Sequence, residues 1–270
     1  MNERAHYWDG AIVIGGVLAA GMTLRAYRGF DAIAGKPEQN RLTPGQARSA
    51  VYSAKSYLNS NPEDFNAWSQ LAIAYYSLGP DSYPYAINAL EKARSLGATS
   101  EALFYYAGVM YEALGLPDYA VNELSRYLRH YPDDYETQMR LANLLVQLKK
   151  YDDAYRLYQA LAKSGAGDPT LWYNFAVVNK EKGELDAALS CFKRLHQLVK
   201  ELPEGELYQE GEVMRLKGSE DQAMALYQQE ISLHPSYFPA LTALEAVQRH
   251  KGLYKEARET RKIIAALKSK

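Results

Sequence analysis

Cysteine is nearly missing from this chain: Cys191 is the only one in 270 residues, which excludes an internal disulfide and any zinc site built from cysteines. An excess of one charge is missing as well. The 31 Lys and Arg are matched by 32 Asp and Glu, for a formal net charge of -1. Nucleic acid demands a basic face, so that partner is not expected. The histidines are His6, His130, His196, His234 and His250, and no two stand at the i, i+4 spacing of a helical metal site. Neither a metal nor a cofactor is expected from these spacings. Cys191, five residues before His196 and next to Phe192, reads as a buried thiol rather than a nucleophile. The stretch SGAGDP (Ser164 to Pro169) resembles a phosphate loop but lacks a following lysine, so it reads as a turn between helices. Acidic pairs such as Asp133 and Asp134 suit helix starts, where carboxylates meet unsatisfied amides. The expectation is a protein without catalytic residues. An enzyme would survive as a reading only if a second chain completed its site.

Phenylalanine is scarce too, with 6 against 23 tyrosines, in a chain that is 47% hydrophobic and 23% charged. The overall balance is that of a globular protein. Tyrosine carries an apolar face and a hydroxyl that needs water or a partner, which suits half-buried surfaces and interfaces.

Long apolar runs are absent except for one near the start. Gly10 to Leu24 is 15 residues without a charge, flanked by Tyr7 and Trp8 before it and by Arg25, Tyr27 and Arg28 after. As a helix it would span about 22 Å, short of a hydrocarbon core of about 30 Å. Counting the aromatic flanks and a snorkelling Arg25 extends it from Trp8 to Tyr27, and the segment is read as a single-pass membrane anchor that makes the lipid bilayer a partner. A cleavable signal peptide is the alternative, opposed by Glu3 and Asp9 in the leading region; a buried first helix is another. Ala11, Gly15 and Ala19 recur at every fourth residue with Gly16 and Ala20 beside them. Such a smooth stripe lets membrane helices approach closely, so a membrane-helix partner or a homo-oligomer is expected there. Arg25, Arg28, Lys36 and Arg41 follow the segment and only Arg4 precedes it, which favours a cytoplasmic C-terminal side over a periplasmic one.

After the connector Ala34 to Gly45 the chain becomes periodic. Ala86, Ala120, Ala154, Ala188, Ala223 and Ala257 are separated by 34, 34, 34, 35 and 34 residues. Five residues before the last five stand Gly115, Lys149, Gly183, Gly218 and Gly252. Four residues after the six stand Leu90, Leu124, Tyr158, Phe192, Tyr227 and Arg261. Pro62, Pro132 and Pro235 each lie 12 residues after Ala50, Ala120 and Ala223. A glycine of this kind ends a first helix with a left-handed cap, the alanine lets a second helix pack tightly, and the large residue one turn on fills the gap. Proline cannot continue a helix, so it closes one unit. Each unit is a helical hairpin that cannot bury its apolar face alone.

The 34-residue period, together with Asn66 to Gly79 and Leu171 to Phe192, resembles the tetratricopeptide repeat family over about residues 43 to 270. Its first-helix pattern of an aromatic, Leu, a small residue and Tyr reads here as Trp68, Leu71, Ala72 and Tyr75; the next repeat has Phe104, Ala107, Gly108 and Tyr111. There are departures: two extra residues between Gly79 and Ala86, a fifth repeat degenerate around Glu210 and Gly211, and Arg261 where a large apolar residue belongs. Thr43 followed by Pro44 starts a capping half-repeat to Ser60, and Tyr254 to Leu267 reads as the closing cap.

The resemblance implies an all-α, right-handed solenoid of about six hairpins, near 65-98, 101-134, 135-168, 169-202, 204-237 and 238-270, with residues 1-30 as anchor and 31-42 as connector. It also implies an inner wall of first helices. By offset from Trp68 that wall presents Tyr76, Tyr105, Tyr106, Met139, Arg140, Asn143, Tyr173, Asn174, Val177, Tyr208, Gln209 and Arg215. An aromatic surface with Asn and Gln suits a bound protein or peptide segment. Clamps for the C-terminal carboxylates of heat-shock chaperones need cations that are absent here: Asn143 and Asn174 match, but Met139 stands at the lysine position and Gly205 and Gln209 at the last pair. The expected function is a membrane-anchored adaptor that holds a partner and helps assemble a complex. A periplasmic or secreted assembly chaperone is the alternative.

Overall fold

The structure, a computed structural model, describes residues 41–164 and 167–269. Among the described residues are thirteen α-helices and one short 3-10 turn, and no strand. They are α1 (Pro44–Ser60), α2 (Phe65–Leu78), α3 (Tyr83–Ser95), α4 (Ala102–Ala113), α5 (Pro117–His130), α6 (Tyr135–Gln147), α7 (Tyr151–Ser164), α8 (Pro169–Glu181), α9 (Leu185–Leu198), α10 (Glu206–Leu216), α11 (Glu220–Leu233), α12 (Phe238–His250) and α13 (Tyr254–Lys268). No helix among them is long and apolar enough to cross a membrane. The segment Gly10 to Leu24, with Ala11, Gly15, Gly16, Ala19 and Ala20, lies outside the described residues.

Each helix pair is joined by a local device written in the sequence. Thr43 opens α1 with a reciprocal cap: its hydroxyl accepts from the Gln46 amide at 3.4 Å while Gln46 Oε1 accepts from the Thr43 amide at 3.0 Å. Asp64 accepts from the amides of Asn66 and Ala67 at the start of α2, and Asp168 accepts from Thr170 at the start of α8. The cap positions after five first helices have positive φ: Gly115 71°, Lys149 57°, Gly183 80°, Gly218 80° and Gly252 75°. In each, two crossed hydrogen bonds close the turn, as in Gly115 N–H to Glu112 O at 3.0 Å and Leu116 N–H to Tyr111 O at 2.9 Å. Lys149 makes the same pair of bonds without being glycine.

The chain divides into two compact units between Thr137 and Gln138. In the first, α1 to α5 stack in sequence around a core that includes Leu58, Leu71, Tyr76, Leu90, Tyr106 and Met110. In the second, α7 packs on α8, α8 on α9, α10 on α11 and α12 on α13. The periodic alanines 86, 120, 154, 188 and 223 are fully buried, and so are Leu124, Tyr158, Phe192 and Tyr227 one turn later. Small residues of the first helix receive these large ones. A Cβ on Gly108 would stand 2.5 Å from a Leu124 methyl, and one on Gly211 would stand 2.5 Å from the Tyr227 ring. In α13 the same position is the exposed Arg261, paired with Glu245.

Candidate functional site

Consecutive first helices of the second unit touch along one face through polar side chains. Asn143 of α6 accepts from Asn174 Nδ2 of α8 at 2.8 Å and from the Tyr158 hydroxyl of α7 at 2.5 Å, so one amide oxygen ties three helices. Lys180 of α8 donates to Gln209 Oε1 of α10 at 2.7 Å and pairs with Glu181 at 2.9 Å. Farther along α10, Glu212 accepts from the Tyr227 hydroxyl at 2.5 Å and pairs with Arg215 at 2.7 Å. Burial opposes the charge on Glu212, yet the bonds from Arg215 and Tyr227 outweigh it and hold its pKa below the ordinary glutamate value.

Several residues assigned to the inner wall lie on this face: Tyr173, Asn174, Val177, Tyr208 and Gln209 are half-buried beside Arg140 and Asn143, and Arg215 is exposed. Tyr208 lies 5.9 Å from the Tyr227 ring and 5.8 Å from the Tyr237 ring, which hold it in place while it stays half-buried. Four others need correction. Tyr76, Tyr105, Tyr106 and Met139 are 4%, 1%, 2% and 8% exposed and offer no surface to a partner. Tyr76 stacks on Tyr83 at 5.5 Å and meets Tyr106 edge-on at 5.1 Å, while Tyr105 meets Tyr127 edge-on at 5.2 Å. These rings fill space within a hairpin, as for Tyr105 on Tyr127, or between hairpins, as for Tyr76 against Tyr106, the ordinary fate of an aromatic group with apolar neighbours.

Sequence reasoning missed a second set of groups. Lys182, Lys217 and Lys251 pair with Asp152, Asp186 and Asp221 of the preceding repeat, an exposed ladder in the second unit. Its signal was available, because each lysine directly precedes a cap glycine and each aspartate stands two residues before a periodic alanine. His196 at the end of α9 lies 2.7 Å from Glu206 Oε1 and 3.7 Å from Glu210 Oε2. A search for histidine pairs passes over this group, since its carboxylates come from the next helix. Its one trace in the sequence is the degeneracy of the fifth repeat at Glu210. Cys191 is buried, accepts a weak bond from Asn179 Nδ2 at 3.7 Å, and has its thiol pKa pushed up to about 11 by burial, which leaves it inert as a nucleophile at neutral pH.

Residues 113–176 match the tetratricopeptide repeat family. Among solved structures, YrrB, described as a tetratricopeptide protein with an unusual peptide-binding site, superposes with a TM-score of 0.60 at 21% identity, covering 72% of this chain and 98% of that one. MamA superposes with a TM-score of 0.55 at 22% identity, covering 60% and 94%. Both likenesses establish the fold. Among curated proteins, the cytochrome c-type biogenesis protein CycH of Rhizobium meliloti (strain 1021) is 30% identical over 175 residues, 63% of this chain and 45% of that protein. The BBSome complex member BBS4 of Xenopus tropicalis is 27% identical over 146 residues, 54% and 28% respectively. The chain thus spans less than half the length of the curated relatives it matches. The structural likenesses and the match over residues 113–176 agree on an all-α array of helical hairpins with the tetratricopeptide fold.

Proposed function

We propose that this chain is a membrane-anchored tetratricopeptide-repeat adaptor that binds a segment of a partner protein on the first-helix face of its second unit and helps assemble a larger complex. The observation that carries the reading is that face itself, where Tyr173, Val177 and Tyr208 remain half-open while Asn143, Asn174 and Gln209 are held by hydrogen bonds to neighbouring helices. Prealigned amides and rigid tyrosines bind an extended backbone at low entropic cost. A scaffold of this kind works by binding. YrrB's description as peptide-binding and the names of CycH and BBS4 as a biogenesis protein and a complex member support the same direction. The anchor rests on the charge-free run Gly10 to Leu24, and the excess of Lys and Arg after it favours a cytoplasmic repeat array.

The test is site-specific photo-crosslinking of the full chain in native membranes, with the crosslinker at Val177 or Tyr208 and, as control, at exposed Lys193 on a second helix. A discrete adduct from Val177 and Tyr208 that is weak or absent from Lys193, and that stays in the membrane fraction after alkaline extraction, is expected. Equal labelling from all three positions would remove the face assignment. Loss of the chain from the extracted membranes would remove the anchor and favour the released assembly chaperone.

A further inference from the structure

We propose that His196, Glu206 and Glu210 form a binding site for one divalent transition-metal ion, which clips the end of α9 to the start of α10. Glu206 is the first residue of α10 and Glu210 stands one turn later on the same side, while His196 lies in the last turn of α9. One donor atom from each lies within 4.8 Å of the other two. Metal–nitrogen and metal–oxygen bonds of about 2.0–2.2 Å place tetrahedral ligand atoms about 3.2–3.6 Å apart. The His196–Glu206 and His196–Glu210 separations, 2.7 and 3.7 Å, bracket that spacing, so small side-chain adjustments complete the set.

A second observation points to a ligand. Glu206 is 0% exposed, and its other oxygen, Oε2, is sealed from solvent without a hydrogen-bond partner. Buried carboxylate oxygens ordinarily find donors, because leaving one bare forfeits its hydration. The surroundings add negative charge: Glu210 and the fully buried Glu230 both act on Glu206, and His196 is the group that opposes them. A dication neutralises this cluster, and binding it through both carboxylate oxygens of Glu206 gives Oε2 the partner it lacks. The start of α10 is also fixed in place, because Glu230 Oε1 accepts from the Gly205 amide at 2.9 Å. His196 and Glu210 keep side-chain exposures of 35% and 18%, which leaves a path for the ion and a coordination position for water. An imidazole with two carboxylates suits Zn2+, Co2+ or Ni2+ over Mg2+ and Ca2+, which prefer all-oxygen sites.

The test uses the full chain, free of any histidine tag, and Zn2+ competed against a chromophoric chelator. One ion per chain with a micromolar or tighter Kd is expected, with affinity reduced about tenfold or more in His196→Ala, Glu206→Gln and Glu210→Gln and unchanged in His234→Ala and His250→Ala. Zn2+ should also raise the thermal midpoint of the unaltered chain and leave that of the three variants in place. Should Glu206→Gln fail to fold, the partly exposed His196 and Glu210 positions carry the test. Absence of binding at Zn2+ concentrations about 100-fold above a micromolar Kd, or equal affinity in His196→Ala and Glu210→Gln, overturns the proposal.

Discussion

The two units share one frame and fasten their hairpins by different chemistry. In the first unit the fastening is aromatic and internal: Tyr76 lies between Tyr83 and Tyr106, Tyr105 lies on Tyr127, and Arg94 reaches Glu123 at 2.6 Å with side-chain exposures of 17% and 9%. The Arg94 guanidinium also covers the Phe104 ring at 4.9 Å. In the second unit aromatic contacts such as Tyr208 on Tyr227 are joined by polar ones, the exposed Lys–Asp ladder and the Asn143 bridge. One position accounts for much of the difference. The residue before the cap is Leu114 in the first unit, and in the second it is Leu148 at the first cap and then Lys182, Lys217 and Lys251. Leu114 packs on the first unit's core, whereas each lysine turns out to its aspartate. Cap, alanine and large residue hold the frame in both, so the remaining positions are free to differ.

That contrast can be broken or sharpened by substitution, with Trp68 and Trp172 as separate fluorescence reporters of the two units once Trp8 is replaced. The largest effect is expected from Glu123→Ala. It leaves a mostly buried guanidinium with the exposed Glu91 and the Leu103 carbonyl as its remaining hydrogen-bond partners, and chemical denaturation should show a loss of about 2–4 kcal/mol in the Trp68 signal. A loss near zero would mean that the aromatic contacts alone hold the first unit. Next comes Gly211→Ala, for which we expect about 1–3 kcal/mol in the Trp172 signal, because the new methyl meets a Tyr227 ring pinned by Glu212. Gly108→Ala should cost less, since the Leu124 side chain it meets can rotate; the reverse order would show that the first unit is the more tightly packed.

Smaller and opposite in sign is Lys149→Gly. Relieving a left-handed non-glycine residue should stabilise the second unit by about 0.5–1 kcal/mol, and Gly115→Lys should reverse this in the first. Thermal midpoints of the two variants would decide it, and a fall for Lys149→Gly would mean that the Lys149 side chain stabilises the turn by more than its backbone strain costs. The smallest effect belongs to the ladder: replacing Lys182, Lys217 and Lys251 together by Gln should move the midpoint little, and that little should vanish in high salt, because exposed pairs are screened. A large loss would make the ladder, rather than the buried frame, the fastening of the second unit.

Much of this was legible along the chain. Left-handed caps, buried alanines, Thr43 as a helix start and Arg261 facing outward all depend on interactions within a residue's own hairpin, and period and residue type are enough to place them. The inner-wall assignment was legible only in part. Counting offsets from Trp68 puts Tyr173 and Tyr208 on a face where they are half-buried, but the same count puts Tyr76, Tyr105 and Tyr106 on a surface when rings of their own and adjoining hairpins cover them. Offset gives the direction of a side chain from its own helix axis, and burial depends on what the next helix brings to it.

The sequence by itself determined the repeat, its turns and its helix boundaries, since these follow from short-range sterics and hydrogen bonding. Tertiary structure alone decided which tyrosines are core and which are surface, and that His196 shares space with Glu206 and Glu210. Those outcomes depend on distances between residues far apart in the chain, which packing sets and local preference does not encode.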